Sequence, residues 1–190
     1  MTEQELENEL TRITLFSVLT YPALRRIVRN GRLLQAREGQ FVLGPGFGGT
    51  GFFVILEGFI AITMNDGPLV SYLTRGDVFG ETALLEGVER TAICRAYSDC
   101  LLFEVPFGSF HADLAVNPAW RTAVDQISRR RQSINLAIRK GAPPPDLTPP
   151  DKPVAPEVEA TAAQDADGNE PEAMPASDEK PQPPAVYATA

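Results

Sequence analysis

Asp77–Ile93 reads DVFGETALLEGVERTAI, and the reading of this stretch decides the fold. Gly80 followed by Glu81, Thr82, Ala83, Leu84 and Leu85 is a small turn running into a single helical turn. The stretch interrupts a regular series of short apolar runs, at residues 33–36, 40–43, 51–56, 59–64 and 69–73 before it and 91–96 and 101–105 after it. Turn residues separate the runs: Glu38-Gly39, the glycine-rich 44–51, Glu57-Gly58, 65–68 and Arg75-Gly76-Asp77. Short strands at such spacing predict an all-β sandwich or barrel. No helix long enough for a βαβ crossover lies between them, so the sheets are expected to be antiparallel.

Helices flank the series. Leu6, Leu10, Ile13 and Ser17 have helical spacing, and residues 3–13 read as an amphipathic helix. Residues 22–31 read as a second, with Pro22 in the first turn and Gly31 ending it. Residues 107–115 read as a short helix. Asn117 then reads as an N-cap with Pro118 at the first helical position. The helix that follows is expected to run to about Lys140. Trp120, Val124, Ile127, Ile134 and Ile138 keep its three- and four-residue spacing. The cluster Arg129-Arg130-Arg131 interrupts it and reads as a solvated face. The expected architecture is mainly β with flanking helices: an antiparallel β jelly-roll barrel over about 32–106, N-terminal helices, a short helix after Gly80, and C-terminal helices over about 107–140.

Charge divides the 190 residues. Residues 1–140 hold fifteen basic and fifteen acidic residues, whereas 141–190 hold two and ten, so the second part carries the whole net charge of -8. It also holds twelve of the seventeen prolines. A segment rich in Pro, Glu, Asp and Ala buries too little apolar surface to offset its ordering entropy. The expectation is a folded body over 1–140 and a disordered acidic tail over 141–190. The start, MTEQELENEL, has no basic or apolar leader pattern, and no window approaches a membrane span. Cys94 and Cys100 lack metal-ligand company and read as buried thiols. These features point to a cytoplasmic protein.

The chemistry of 79–92 points to an anion. Backbone N–H groups at a turn entering a helix are unpaired and suit a phosphate. Gly80 has no side chain to block close approach, and Ala83 is small. Arg90 adds a planar, permanently charged fork that matches two phosphate oxygens. Glu81 can accept a hydrogen bond from a sugar hydroxyl.

Three further matches carry a resemblance. They are the strand–Gly–strand run Phe53-Val54-Ile55-Leu56-Glu57-Gly58-Phe59-Ile60, the run Gly76-Asp77-Val78-Phe79-Gly80-Glu81 followed by Ala-Leu-Leu and Arg90-Thr91-Ala92, and the Phe-containing helix near Pro118. Over about residues 13–140 the chain resembles the cyclic-nucleotide-binding domain family, the type found in catabolite activator protein and protein-kinase-A regulatory subunits. The resemblance implies a non-enzymatic cytosolic sensor of cAMP or cGMP with no cofactor and no metal. It implies a ligand site of Phe79, Gly80, Glu81, Thr82, Ala83, Arg90, Thr91 and Ala92. Glu81 would bind the ribose 2′-hydroxyl and Arg90 the cyclic phosphate. Gly80 and the backbone of Thr82 and Ala83 would line the phosphate pocket. A Thr at position 91 is linked in the family with guanine acceptance. The long C-terminal helix would close over the base, and in dimeric members it pairs, so a homodimer through it is an expectation. Nothing after Lys140 reads as a helix-turn-helix, so DNA binding is not expected and an effector protein would carry the output. The alternative is a degenerate, ligand-free domain, with Glu81 paired to Arg90, acting as an interaction or oligomerisation scaffold. A third reading is an adaptor for a cyclic dinucleotide, which needs more than one arginine near the cassette. His111 is the single histidine, so a metal-dependent jelly-roll enzyme, which needs several, is excluded, and no Ser/His/Asp or Cys/His pairing is convincing.

Overall fold

The computed structural model describes residues 1–46, 51–64, 67–143 and 147–151, and Met1–Val154 form one compact unit. Most of the acidic tail expected over 141–190 lies outside the described residues. Three helices open the chain: α1 (Glu3–Thr11), the single turn α2 (Thr14–Ser17) and α3 (Tyr21–Asn30). A capping box starts α1: Thr2 Oγ1 accepts from the Glu5 N–H at 3.2 Å, and the Thr2 N–H donates to Glu5 Oε2 at 2.7 Å. The helix expected over 3–13 ends at Thr11, and the separate turn α2 follows it. Ile13 is extended, at φ -84° and ψ 121°, and the redirected chain buries Leu15 and Phe16. Burying two large apolar side chains, at about 1.5–3 kcal/mol each, outweighs continuation of a helix.

Eight strands follow: β1 (Arg32–Ala36), β2 (Phe41–Leu43), β3 (Gly51–Glu57), β4 (Ile60–Met64), β5 (Leu69–Leu73), β6 (Val78–Phe79), β7 (Ala92–Ala96) and β8 (Cys100–Pro106). They pair antiparallel in two four-stranded sheets, ordered β1-β8-β3-β6 and β2-β7-β4-β5. This is the expected jelly roll, with β6 added to the seven apolar runs. β6 has only two residues, too few for a periodic signal. Pairing of Phe79 with Phe53 and of Val78 with Val54 defines it.

β3 explains why its run FFVIL does not alternate. One side of the strand turns Phe52, Val54 and Leu56 toward the helices. The other turns Phe53 and Ile55 into the space between the sheets. Successive strand side chains point to opposite faces, and here both faces are covered.

Between β6 and β7 lies α4 (Glu81–Glu86). After β8 the chain makes one α turn, α5 (Phe107–Ser109), and then a π-helical turn over Phe110–Leu114, closed by the Ala115 N–H on the Phe110 carbonyl at 2.8 Å. The uniform helix expected over 107–115 is thus widened. The wider turn accompanies burial of both Phe110 and Leu114, with Asp113 accepting from Arg26 Nη2 at 2.7 Å. Last comes α6 (Pro118–Arg139), capped by Asn117 Oδ1, which accepts from the Trp120 N–H at 3.0 Å. Trp120 is fully buried against Phe52 and Phe110, which fastens α6 to the barrel. Cys94 and Cys100 are buried free thiols, and His111 is exposed.

Candidate functional site

The turn between β6 and α4 needs glycine twice over. Gly80 has φ +87°, a left-handed conformation that costs other residues about 1–2 kcal/mol. A Cβ there would also lie 2.8 Å from Arg90 Nη1 and 2.9 Å from Leu43 Cδ2. The absence of a side chain thus lets the Arg90 guanidinium lie against the backbone.

Arg90 is half-buried. It donates from Nη1 to the Gly80 carbonyl at 3.1 Å and from Nη2 to the Gly51 carbonyl at 2.9 Å. The two carbonyls belong to the cassette turn and to the start of β3. The guanidinium therefore sits between the cassette and the barrel wall. Burial lowers its pKa, while Cys94, Glu81 and Glu104 act in the opposite direction. Desolvation of a cation strengthens its attraction for an incoming anion.

Glu81 opens α4, yet its side chain is only 1% exposed. Its Oε1 accepts from Arg131 Nη1 of α6 at 2.7 Å and from Thr82 Oγ1 at 3.3 Å. The Thr82 hydroxyl also meets the Ser128 hydroxyl at 2.8 Å, and Gln132 donates to Glu86. Ser128, Arg131 and Gln132 stand at i, i+3 and i+4, which places them on one side of α6. Together they form a latch from the long helix to the cassette.

The structure brings Gly80, Glu81, Thr82, Ala83 and Arg90 together, the last joined to Gly80 by its hydrogen bond. Ala83 is half-buried on α4. Thr91 is exposed at the end of the loop, and Ala92 is the first residue of β7. Phe79 lies in the core between the sheets, stacked on Phe53 with ring centres 5.1 Å apart, so it supports the turn from below.

The sequence reading missed the latch. Arg131 was grouped with Arg129 and Arg130 as a solvated cluster, but its side chain is only 28% exposed. One signal was available: Arg131 is seven residues after Val124 and four after Ile127, inside the apolar stripe. A charge on that stripe needs a buried partner. Glu81 is that partner, so the degenerate pairing of Glu81 with Arg90 gives way to one with α6.

The family model for the cyclic nucleotide-binding domain matches residues 33–115. The chain carries a cyclic nucleotide-binding domain. Among curated proteins, it is 33% identical over 134 residues to a putative potassium channel protein of Rhodopseudomonas palustris, covering 68% of this chain but 32% of that protein. It is 35% identical over 78 residues to a cGMP-dependent protein kinase of Plasmodium berghei, covering 41% of this chain and 9% of the kinase. The chain thus spans a third or less of these two proteins. The fold is shared with cAMP-bound PfPKA-R, at a TM-score of 0.64 and 18% identity over 74% of this chain and 48% of that one. It is shared equally with the regulatory subunit of a cAMP-independent protein kinase A from Trypanosoma cruzi bound to guanosine, at a TM-score of 0.64 and 15% identity over 75% and 52% of the two chains. In this cyclic nucleotide-binding domain the barrel positions Arg90, and α6, beyond the matched residues, supplies the latch. No helix among the described residues is long and apolar enough to cross a membrane.

Proposed function

We propose that this domain is a cytosolic, non-enzymatic sensor that binds cAMP or cGMP and signals through a separate effector protein. The observation that carries the reading is Arg90, a half-buried guanidinium held by two backbone carbonyls against a turn that only glycine fits. Proteins of this fold hold both cAMP and guanosine, which differ in the base and in the cyclic phosphate. A desolvated arginine beside the cassette favours the ligand that has one. In this reading the cyclic phosphate takes Gly80, the backbone of Thr82 and Ala83, and the Arg90 fork. The ribose 2′-hydroxyl takes Glu81, and Thr91 and Ala92 flank the base side.

Binding then competes with the latch. Glu81 Oε1 already accepts from Arg131 and Thr82, so a ribose hydroxyl weakens or replaces the Arg131 pair. Loss of that pair frees α6 beyond Ser128, where among the described residues no position of the helix is fully buried. The ligand shifts α6 by its differential affinity for the latched and unlatched arrangements. Isothermal titration calorimetry with cAMP and with cGMP tests the proposal: micromolar binding of at least one is expected, and binding of neither overturns it.

The latch also gives substance to a second reading, a scaffold with a permanently closed pocket. A thermal melt separates the two. Saturating cyclic nucleotide raises the midpoint of a sensor by linkage, and leaves that of a scaffold unmoved.

A further inference from the structure

Beside the latch, α6 carries a second set of charges. Between Pro118 and Lys140 the helix has six basic residues and one acidic one, Asp125. Arg131 faces inward to Glu81. Arg121, Arg129, Arg130, Arg139 and Lys140 are exposed, and their side chains make no hydrogen bond or ion pair among the described residues. At 3.6 residues per turn, Arg121, Arg129, Arg139 and Lys140 fall within an arc of about 100° that also holds Asp125, Gln132 and Leu136, so the part from Arg129 to Lys140 is free of acidic side chains. Leu136 is 52% exposed, a large apolar side chain with Arg139 and Lys140 one turn after it and Arg129 two turns before it. The strip from Arg121 to Lys140 is about 28 Å long.

We propose that this strip is the docking surface for an acidic amphipathic helix of a partner protein. Its carboxylates would face Arg129, Arg139 and Lys140, and one apolar residue would cover Leu136. Arginine forks match carboxylates in two parallel hydrogen bonds, and a central apolar contact among charges is the usual anatomy of a specific interface. Three other occupants fit less well. Nucleic acid is drawn by a net positive field, and residues 1–140 balance to zero. A lipid surface needs an apolar helix face to bury, and this strip offers Leu136 alone. A second copy packed through the strip about a two-fold axis would set the strip's cations against those of its copy, which like charge opposes. The strip stands whether or not the pocket takes a nucleotide. Only its coupling to a ligand, through the adjoining latch on the same helix, rests on the sensor reading.

The test is a fluorescence-anisotropy titration of the full chain with two labelled synthetic peptides of equal composition. One places its Glu and Leu residues on a single helical face, and the other scatters them around the helix. The faced peptide is expected to bind at least about tenfold more tightly. Arg129→Gln with Arg139→Gln is expected to lower that affinity about tenfold, and Leu136→Asp similarly, each with an unchanged thermal melt. Equal affinity for both peptides overturns the proposal, as does unaltered binding by the variants. So does tighter binding of a DNA duplex or of phosphatidylserine vesicles, or dimerisation that both substitutions abolish. Because the variants lie outside the pocket, nucleotide calorimetry on the same samples separates failure of this surface from failure of the sensor reading.

Discussion

The two ends of the site are anchored in different ways. At one end Arg90 is held by carbonyls of Gly80 and Gly51, both part of the barrel or the turn that leaves it. At the other, Glu81 is held by a side chain from α6, fifty residues away in sequence. Backbone carbonyls on β-structure cannot leave without unfolding the barrel. A side chain on a helix that loses its buried contacts beyond Ser128 can leave cheaply. Under the proposed function, the Arg90 end would serve recognition and the Glu81 end reporting.

The largest expected effect breaks the recognition end. Arg90→Ala should cost about 2–3 kcal/mol of cyclic-nucleotide affinity, on the order of a hundredfold by calorimetry, because a charge-assisted fork to the phosphate is lost. Retention of wild-type affinity would place the phosphate elsewhere. Gly80→Ala combines a positive φ with close contacts at 2.8 and 2.9 Å. It should lower stability by about 1–3 kcal/mol in urea or thermal melts.

Arg131→Ala sharpens the contrast, since its effects on stability and affinity should have opposite signs. Stability falls by about 1–2 kcal/mol as a buried carboxylate loses its partner, discounted because Arg131 is partly solvated. Nucleotide affinity rises, up to about tenfold, because Glu81 no longer has a competitor. If Arg131→Ala weakens binding as Arg90→Ala does, the two ends do not differ in kind and the latch reading falls. Ser128→Ala removes only the hydroxyl pair with Thr82 and should cost about 0.5–1.5 kcal/mol in the melt.

The smallest effect concerns pH. Burial pushes the Cys94 thiol up to about 12, next to Arg90 in the barrel wall. The folded state therefore keeps its proton longer than the unfolded state, whose thiol titrates near 9. The stability linked to this group is complete below about pH 9 and is lost as pH rises from there toward 12. At pH 8 Cys94 should resist iodoacetamide in the folded protein and react once urea unfolds it. Rapid labelling of the native protein would show that the wall beside Arg90 opens.

Much of this was legible in the residues. The strand series, the Asn117 cap, the placement of Trp120 in the helix–barrel seam and the turn at Gly80 are local signals. Each depends on neighbours a few positions apart. The nearness of Arg90 to Gly80 was legible through the family resemblance, and the two are joined by a hydrogen bond. β6 was not, because two residues carry no period. The break at Ile13 was not, because the gain that drives it is burial of Phe16 against Phe52, far along the chain. The π-helical turn was not, because its geometry is tied to contacts with α3, such as Asp113 with Arg26.

Local signals in the sequence sufficed for an antiparallel barrel between helices and for a glycine turn entering a short helix. These follow from hydrophobic periodicity and from the conformational freedom of glycine, properties that act within a few residues. Only the tertiary structure decided that Glu81 is engaged by Arg131, and that of three consecutive arginines one faces inward and two face out. A run of like charges reads the same at every position until the helix is docked. Docking fixes its rotation about its axis, and that rotation assigns each charge to a buried partner or to water.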